Sequence, residues 1–237
     1  MKLVILAAGV GSRLYPLTSD RPKAMIEING KPLIEKQIEE ALKKGIKAED
    51  IYVVGGYQIE VLKKVLPPKV KLIENPDYNT KNNVYSVALL KDHLSDGFIL
   101  FNSDVVFAPE ILDELFLENY PDVLVVDDVN PLDEEDMKVV IENGFITHIS
   151  KKVNPREAQG EYIGILRFSR DTAQKVINRC WEMVEAGEVN GWYETALNTL
   201  LPELKIRPVS TRGYLWTEID DFKDLEYARE IAQKINW

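Results

Sequence analysis

The sequence predicts an α/β fold on a mostly parallel sheet, and three observations carry that expectation. Short continuous apolar runs recur at residues 3–6, 51–54, 70–73, 98–101 and 123–126, each the length of a strand buried on both faces. Segments with apolar residues at helical spacing alternate with them, as in Leu33, Ile34, Ile38, Ala41 and Leu42. Several runs end abruptly in glycine, asparagine or aspartate, which puts polar loops at one edge of the sheet, where folds of this class bind ligands. With 237 residues, 45% of them hydrophobic and 29% charged, the chain is long enough for a sizeable core and is read as one domain spanning 1–237.

The first strand stops at Ala7-Ala8-Gly9 and opens a loop with a second glycine at Gly11, so backbone amides can approach a bound anion without a Cβ in the way. Arg13, Arg21 and Lys23 follow within eleven residues, and Pro22 fixes the chain just ahead of the lysine. This loop is neither of the common phosphate motifs. A dinucleotide fingerprint needs a small residue where Leu14 stands, and a Walker A loop needs Lys-Ser or Lys-Thr where Ser12-Arg13 follows Gly11.

Further on, residues 25–28 read as a short extended segment, residues 29–32 as a turn, and the helix that starts at Leu33 runs up to Gly45. The second strand ends in Gly55-Gly56-Tyr57, and the helix at 59–65 is stopped by Pro67-Pro68. After the third strand comes a stretch from Asn75-Pro76 through Asn82-Asn83 to Ser86. Asparagine amides both donate and accept, so they suit the edge of a base as well as a helix cap; the place of the loop, after a parallel strand, favours the ligand role. The fourth strand runs directly into Asn102-Ser103-Asp104. A carboxylate there suits Mg²⁺ on a polyphosphate, and Asp104 is too far ahead of the helix near Pro109 to cap it.

The acidic run Asp133-Glu134-Glu135-Asp136 is expected to be a solvated surface. Residues 138–141 and 145–149 flank Asn143-Gly144 as a hairpin, residues 162–168 read as a strand after Gly160-Glu161, and residues 172–186 as a helix. Trp192-Tyr193-Glu194 and Tyr214-Leu215-Trp216 bring aromatic rings and a carboxylate, Glu218-Ile219-Asp220 follows, and Leu225, Ala228 and Ile231 mark a closing helix.

Composition narrows the function. The formal net charge of −10 argues against general nucleic-acid binding. Residues 1–48 nevertheless hold nine Lys and Arg against five Asp and Glu, a net of +4 that leaves −14 for the remainder, so the positive end is the glycine-loop end. The single cysteine, Cys180, forms no internal disulfide, and its surroundings read as buried helix. No run of eighteen apolar residues is present and Met1-Lys2 leads straight into the first strand, so the expectation is a cytoplasmic protein without membrane insertion.

The run Leu6-Ala7-Ala8-Gly9-Val10-Gly11-Ser12-Arg13-Leu14, followed by Arg21-Pro22-Lys23, resembles the nucleotidyltransferases that join an NTP to a sugar phosphate or an alcohol phosphate. With Asn82-Asn83, Gly160 to Gly164, Trp192-Tyr193-Glu194 and Glu218-Ile219-Asp220, the chain looks most like the phosphocholine cytidylyltransferase type; inositol-1-phosphate and 2-aminoethylphosphonate cytidylyltransferases are similar too. The resemblance implies a Rossmann-like three-layer α/β sandwich with a mixed, mostly parallel central sheet. It makes Leu6, Ala8 and Gly9 the base and ribose floor, Gly11 and Arg13 the triphosphate contact, Lys23 the α-phosphate ligand, and Asp104 and Asp220 the Mg²⁺ ligands. It also assigns Gly56, Asn75, Asn82, Asn83 and Ser86 to the nucleotide, and Glu161, Trp192, Tyr193, Glu194, Tyr214 and Trp216 to the acceptor. Asn102-Ser103-Asp104 stands where many sugar members have Asp-Gly-Asp, which weakens the sugar branch.

The reaction so implied transfers CMP from CTP to a small alcohol phosphate with release of pyrophosphate, and the acceptor is read as phosphocholine-like, its ammonium caged by rings. Core packing stays open for any one of those rings. Inositol or sugar 1-phosphates are the alternative acceptors, and a catalytically silent nucleotide-binding regulatory subunit is the alternative of another class. A homodimer is compatible with the sequence, which does not fix the oligomeric state.

Overall fold

The protein is described from a computed structural model, for residues 1–235 and 237. The elements begin with β1 (Lys2–Ala7), β2 (Glu27–Ile28), β3 (Lys31–Pro32), α1 (Leu33–Lys43), β4 (Ile51–Gly55), α2 (Ile59–Val65), β5 (Lys71–Glu74) and α3 (Asn83–Ala88). They continue with β6 (Phe98–Asn102), β7 (Val105–Phe107), α4 (Pro109–Leu117), β8 (Val123–Asp127), β9 (Lys138–Glu142), β10 (Phe145–Ser150) and β11 (Gly160–Phe168). The last are α5 (Arg170–Glu185), α6 (Tyr193–Leu200), β12 (Arg207–Ser210), β13 (Trp216–Glu218) and α7 (Phe222–Lys234).

The main sheet runs β12–β8–β11–β6–β1–β4–β5, with the β9–β10 hairpin joined to the start of β11. β1 lies parallel to both β4 and β6, and only β11 opposes the direction of the row. The apolar run of β1 follows from this position. Leu3, Ile5 and Ala7 enter the core under α1, α2, α4 and α7, while Val4 and Leu6 enter the opposite core under α3, α5 and α6. Three layers result, as the resemblance implied.

Both predicted Asn-Gly turns form. Asn29 and Gly30 close β2 on β3, Asn143 and Gly144 close β9 on β10, and all four residues have positive φ, as a two-residue hairpin turn requires. Five elements had no sequence expectation: β3, which falls inside the turn read at 29–32, β7, β12 and β13, all short, and α6, which begins inside the aromatic segment with Trp192 as its N-cap. The acidic run is a solvated surface as expected, with a further feature in its backbone. The side chains of Asp133, Glu134 and Glu135 are exposed, but the backbone curls around the buried ammonium of Lys138, which donates to the carbonyls of Asp133 (2.8 Å), Glu134 (3.0 Å) and Asp136 (3.1 Å). No described helix is long and apolar enough to cross a membrane.

Candidate active site

The parallel strands end at one edge of the sheet, and the opposed strand β11 starts there, so loops from distant parts of the chain converge. The first is the glycine loop. Gly11 sits at φ 68°, the Thr18 hydroxyl donates to its carbonyl at 2.8 Å, and the Lys23 amide donates to the Gly9 carbonyl at 3.4 Å. A Cβ on Gly11 would stand 3.0 Å from the Lys23 Cβ, so the glycine lets the lysine stem lie flat against the loop. Arg21 turns away, paired with Asp20.

The second loop is the turn between β6 and β7. The buried Gln37 of α1 donates its amide to the carbonyls of Asn102 (2.9 Å) and Val105 (3.0 Å), on either side of Asp104. β7 pairs with β13 in a register that sets Glu218 opposite Val105, and the Ile219 amide donates to the Asp104 carbonyl at 3.0 Å. Asp104, Glu218 and Asp220 thereby each bring a carboxylate oxygen within 4.8 Å of the others. Lys23 Nζ donates to Asp104 Oδ2 at 2.7 Å and to Asp220 Oδ1 at 2.8 Å, and Arg13 pairs with Asp220 Oδ2 at 2.9 Å.

The charges respond to this crowding. Burial alone would depress Lys23, but the carboxylates of Asp104, Asp220 and Glu218 overcome it and hold the ammonium well above its ordinary range. Burial opposes the ionised form of Asp220 too, yet Lys23 and Arg13 hold its carboxyl below the usual range. Glu218 is exposed as a residue, but desolvation of its carboxylate and the charges of Asp104 and Asp220 beside it push it up to about 8. The Asp104 Oδ1 atom is buried without a hydrogen-bond partner among the described residues, as an oxygen awaiting a cation would be. A set of hard carboxylate oxygens fits Mg²⁺ by the chemistry of its donors.

These groups line one side of a cavity of about 320 Å³. Of the predicted residues it gathers Leu6, Ala8, Gly9, Arg13, Lys23, Asn82, Asn83, Ser86, Asp104, Glu161, Trp192, Glu194 and Asp220. Six others lie off its wall. Gly11 and Gly56 shape loops behind it; Gly56 packs its Cα against Tyr78, leaving no room for a side chain. Asn75 is buried, donating to the Ser86 hydroxyl at 3.0 Å and accepting the Asp77 amide. Tyr193 is buried with its hydroxyl 2.8 Å from that of Tyr162, and Tyr214 lines neither this cavity nor its neighbour.

Trp216 belongs to the adjoining cavity, of about 560 Å³, where its indole N–H donates to Asp127 Oδ2 at 2.6 Å. The two cavities share Arg13, Glu135, Lys151, Glu161, Glu218 and Asp220. Between them Glu161 is pushed up to about 8, by burial first and then by Asp136, Asp127 and Asp133. Burial also pushes Glu194 up to about 7. Lys151 and Gln37 were not singled out from the sequence, and Glu218 and Tyr162, though inside motifs that were, had no assigned role. Glu218 had a signal in its two-residue spacing from Asp220, which on an extended segment faces the same side.

A glycine loop, two cations and a carboxylate trio at the carboxyl edge of a parallel sheet define an α/β enzyme that works on phosphate groups. The chain belongs to the family of the MobA-like NTP transferase domain, which matches residues 3–142, and it is a nucleotidyltransferase. It is 31% identical over 253 residues to the CTP:phosphoglutamine cytidylyltransferase of Campylobacter jejuni, covering 95% of this chain and 98% of that one. It is 29% identical over 240 residues to the choline-phosphate cytidylyltransferase of Streptococcus pneumoniae, covering both chains in full. Among solved structures, the CTP:phosphocholine cytidylyltransferase of S. pneumoniae superposes with a TM-score of 0.77 at 28% identity, covering 97% and 98% of the two chains. The inositol-1-phosphate CTP transferase of T. maritima shares the fold, with a TM-score of 0.80 at 22% identity over 99% of this chain.

Proposed function

We propose that this enzyme transfers CMP from CTP to a small alcohol phosphate and releases pyrophosphate. One observation carries the reading: the Lys23 ammonium, only 12% exposed, is seated between Asp104 and Asp220 at the end of β1, with Arg13 beside it. Such a site attracts polyphosphate at its cationic loop and divalent cation at its carboxylates. The cytidylyltransferases among the relatives favour CTP as donor and an alcohol phosphate as acceptor.

In this reading an acceptor phosphate oxygen attacks the α-phosphorus, the bond to the bridging oxygen breaks, and pyrophosphate leaves with the electron pair. The attacking oxygen is already ionised at neutral pH, so the protein supplies no general base. Lys23 stabilises charge at the α-phosphate, and Arg13 with the loop amides holds the departing phosphates. Leu6, Ala8 and Gly9 form the floor for base and ribose, and Asn82, Asn83 and Ser86 read the base. Asp104 and Asp220, joined by Glu218, would hold Mg²⁺, which when bound supplies positive charge to the phosphates. Glu161, Glu194 and Trp192 face the acceptor.

The test is a panel of the four common NTPs against several alcohol and sugar phosphates, read as pyrophosphate release. CTP should exceed GTP in kcat/KM by at least about tenfold, since a site that hydrogen-bonds one base leaves polar groups unpaired with another. Equal values would refute the base assignment.

A further inference from the structure

Glu194 stands apart from the other acidic groups of the cavity. It lies in the first turn of α6, is 5% exposed and lines the cavity, and its Oε2 atom has no hydrogen-bond partner among the described residues. A buried carboxylate oxygen without a donor is a costly arrangement that a bound ligand can relieve. The surrounding charge specifies the kind of donor. Glu135 and Glu161 share the cavity wall, Asp127, Asp133 and Asp136 follow in the adjoining cavity, and against these five carboxylates the two cavities share the cations Lys151 and Arg13. Acceptors of hydrogen bonds with an excess of negative charge call for a cation that carries N–H bonds.

Two rings, Trp192 and Tyr162, line this cavity, fewer than would enclose a quaternary ammonium on its several faces. Trp192 is 40% exposed at the rim with Lys151 over its face, at 5.6 Å from the centroid. Trp216 spends its indole N–H on Asp127 in the other cavity, and the Tyr193 hydroxyl is tied to Tyr162 and, at 3.5 Å, to Asn102 Oδ1. Glu194 also lies on the acceptor side. Tyr193, Lys151, Asp104 and Tyr162 are its charged or polar neighbours; Tyr162 lies on β11 and Lys151 just past the end of β10, across β6 from the glycine loop.

From this geometry we infer that the acceptor is a small phosphate ester bearing a primary ammonium, and that Glu194 Oε2 receives one of its N–H bonds. The inference rests on the nucleotidyl-transfer reading above and narrows its acceptor. Raising of the Glu194 carboxyl to about 7 agrees with a carboxylate that lacks its counter-ion.

The test is an acceptor series differing only in N–H count, with CTP as donor: phosphoethanolamine, its N-methyl and N,N-dimethyl derivatives, and phosphocholine. Phosphoethanolamine should exceed phosphocholine in kcat/KM by about ten- to a hundredfold, the weight of one hydrogen bond to a charged group. Glu194→Gln should raise the KM for phosphoethanolamine about tenfold, leave the KM for CTP unchanged and flatten the series. Phosphocholine equal or superior to phosphoethanolamine in the wild type overturns the inference, and that comparison stands even if the variant fails to fold. A variant whose CTP KM rises instead assigns Glu194 to the nucleotide and also overturns it. Turnover with CTP and another alcohol phosphate, but with no member of the series, refutes the ammonium while sparing the transfer reading. No pyrophosphate from CTP with any acceptor sinks that reading itself.

Discussion

Lys23 holds two carboxylates at once, so its removal changes both the charge that faces the substrate and the repulsion among Asp104, Glu218 and Asp220. Lys23→Ala should lower kcat by about 2 to 4 kcal/mol in transition-state terms while CTP affinity changes less. Steady-state and single-turnover rates check this, and a near-normal kcat would remove Lys23 from the chemistry. Asp104→Ala and Asp220→Ala should each abolish cation-dependent turnover, and the double variant should be hardly worse than either, since residues that hold one ion act as a unit. Additive losses would mean that they do not share a cation. Glu161 offers a readout in stability. Its folded value of about 8 lies above its ordinary 4.5, so the folded state binds the proton more tightly, and the group's contribution falls as pH rises from about 5 to 8. Glu161→Gln should therefore gain stability relative to wild type across that window by up to a few kcal/mol, less what partial solvent exposure screens. Urea melts at pH 5, 6.5 and 8 decide it; an unchanged difference at all three refutes the assignment.

At the scale of elements, the acceptor side depends on two devices. Strand β11 carries Gly164 at φ 79°, inside a register shift against β8, and a Cβ there would meet the Asn102 amide at 2.7 Å. Gly164→Ala should cost about 1 to 3 kcal/mol in chemical denaturation and weaken acceptor binding as well, because the clash is at the cavity wall. The second device is the loop closed on Lys138, which presents Glu135 and Met137 to the cavity. None of this was legible in the sequence. An acidic run next to a lysine reads as solvated surface because side-chain charge is visible in a sequence and backbone curvature is not. The strands β7, β12 and β13 escaped for a related reason, since three or four residues show no period. What was legible was whatever a single strand or loop decides by itself: the double-buried run of β1, the Asn-Gly hairpins, the glycine loop and Asp104 at a strand end. Pairings across the fold, Trp216 with Asp127 or Gln37 with the Asp104 turn, were not.

Over the whole molecule, the glycine-loop end of the chain carries the cations and the later segments carry the carboxylates, so nucleotide and cation together should join what each half alone leaves repelling itself. CTP with Mg²⁺ at about a hundred times its dissociation constant should raise Tm by roughly 5 to 11 °C, the effect of about 2.7 kcal/mol on a chain of this size. Differential scanning fluorimetry with CTP alone, Mg²⁺ alone and both checks this; a shift with neither combination would contradict a site formed in the native state. The partners of Lys23 lie 81 and 197 residues further along the chain. The second, Asp220, stands two residues past β13, a strand three residues long that pairs with the equally short β7. Catalytic competence thus waits on the docking of the C-terminal segment, which also completes the core on the α7 side of the sheet. In refolding from urea, secondary structure should return before enzymatic activity, the lag being the time in which a nearly complete molecule captures its own tail.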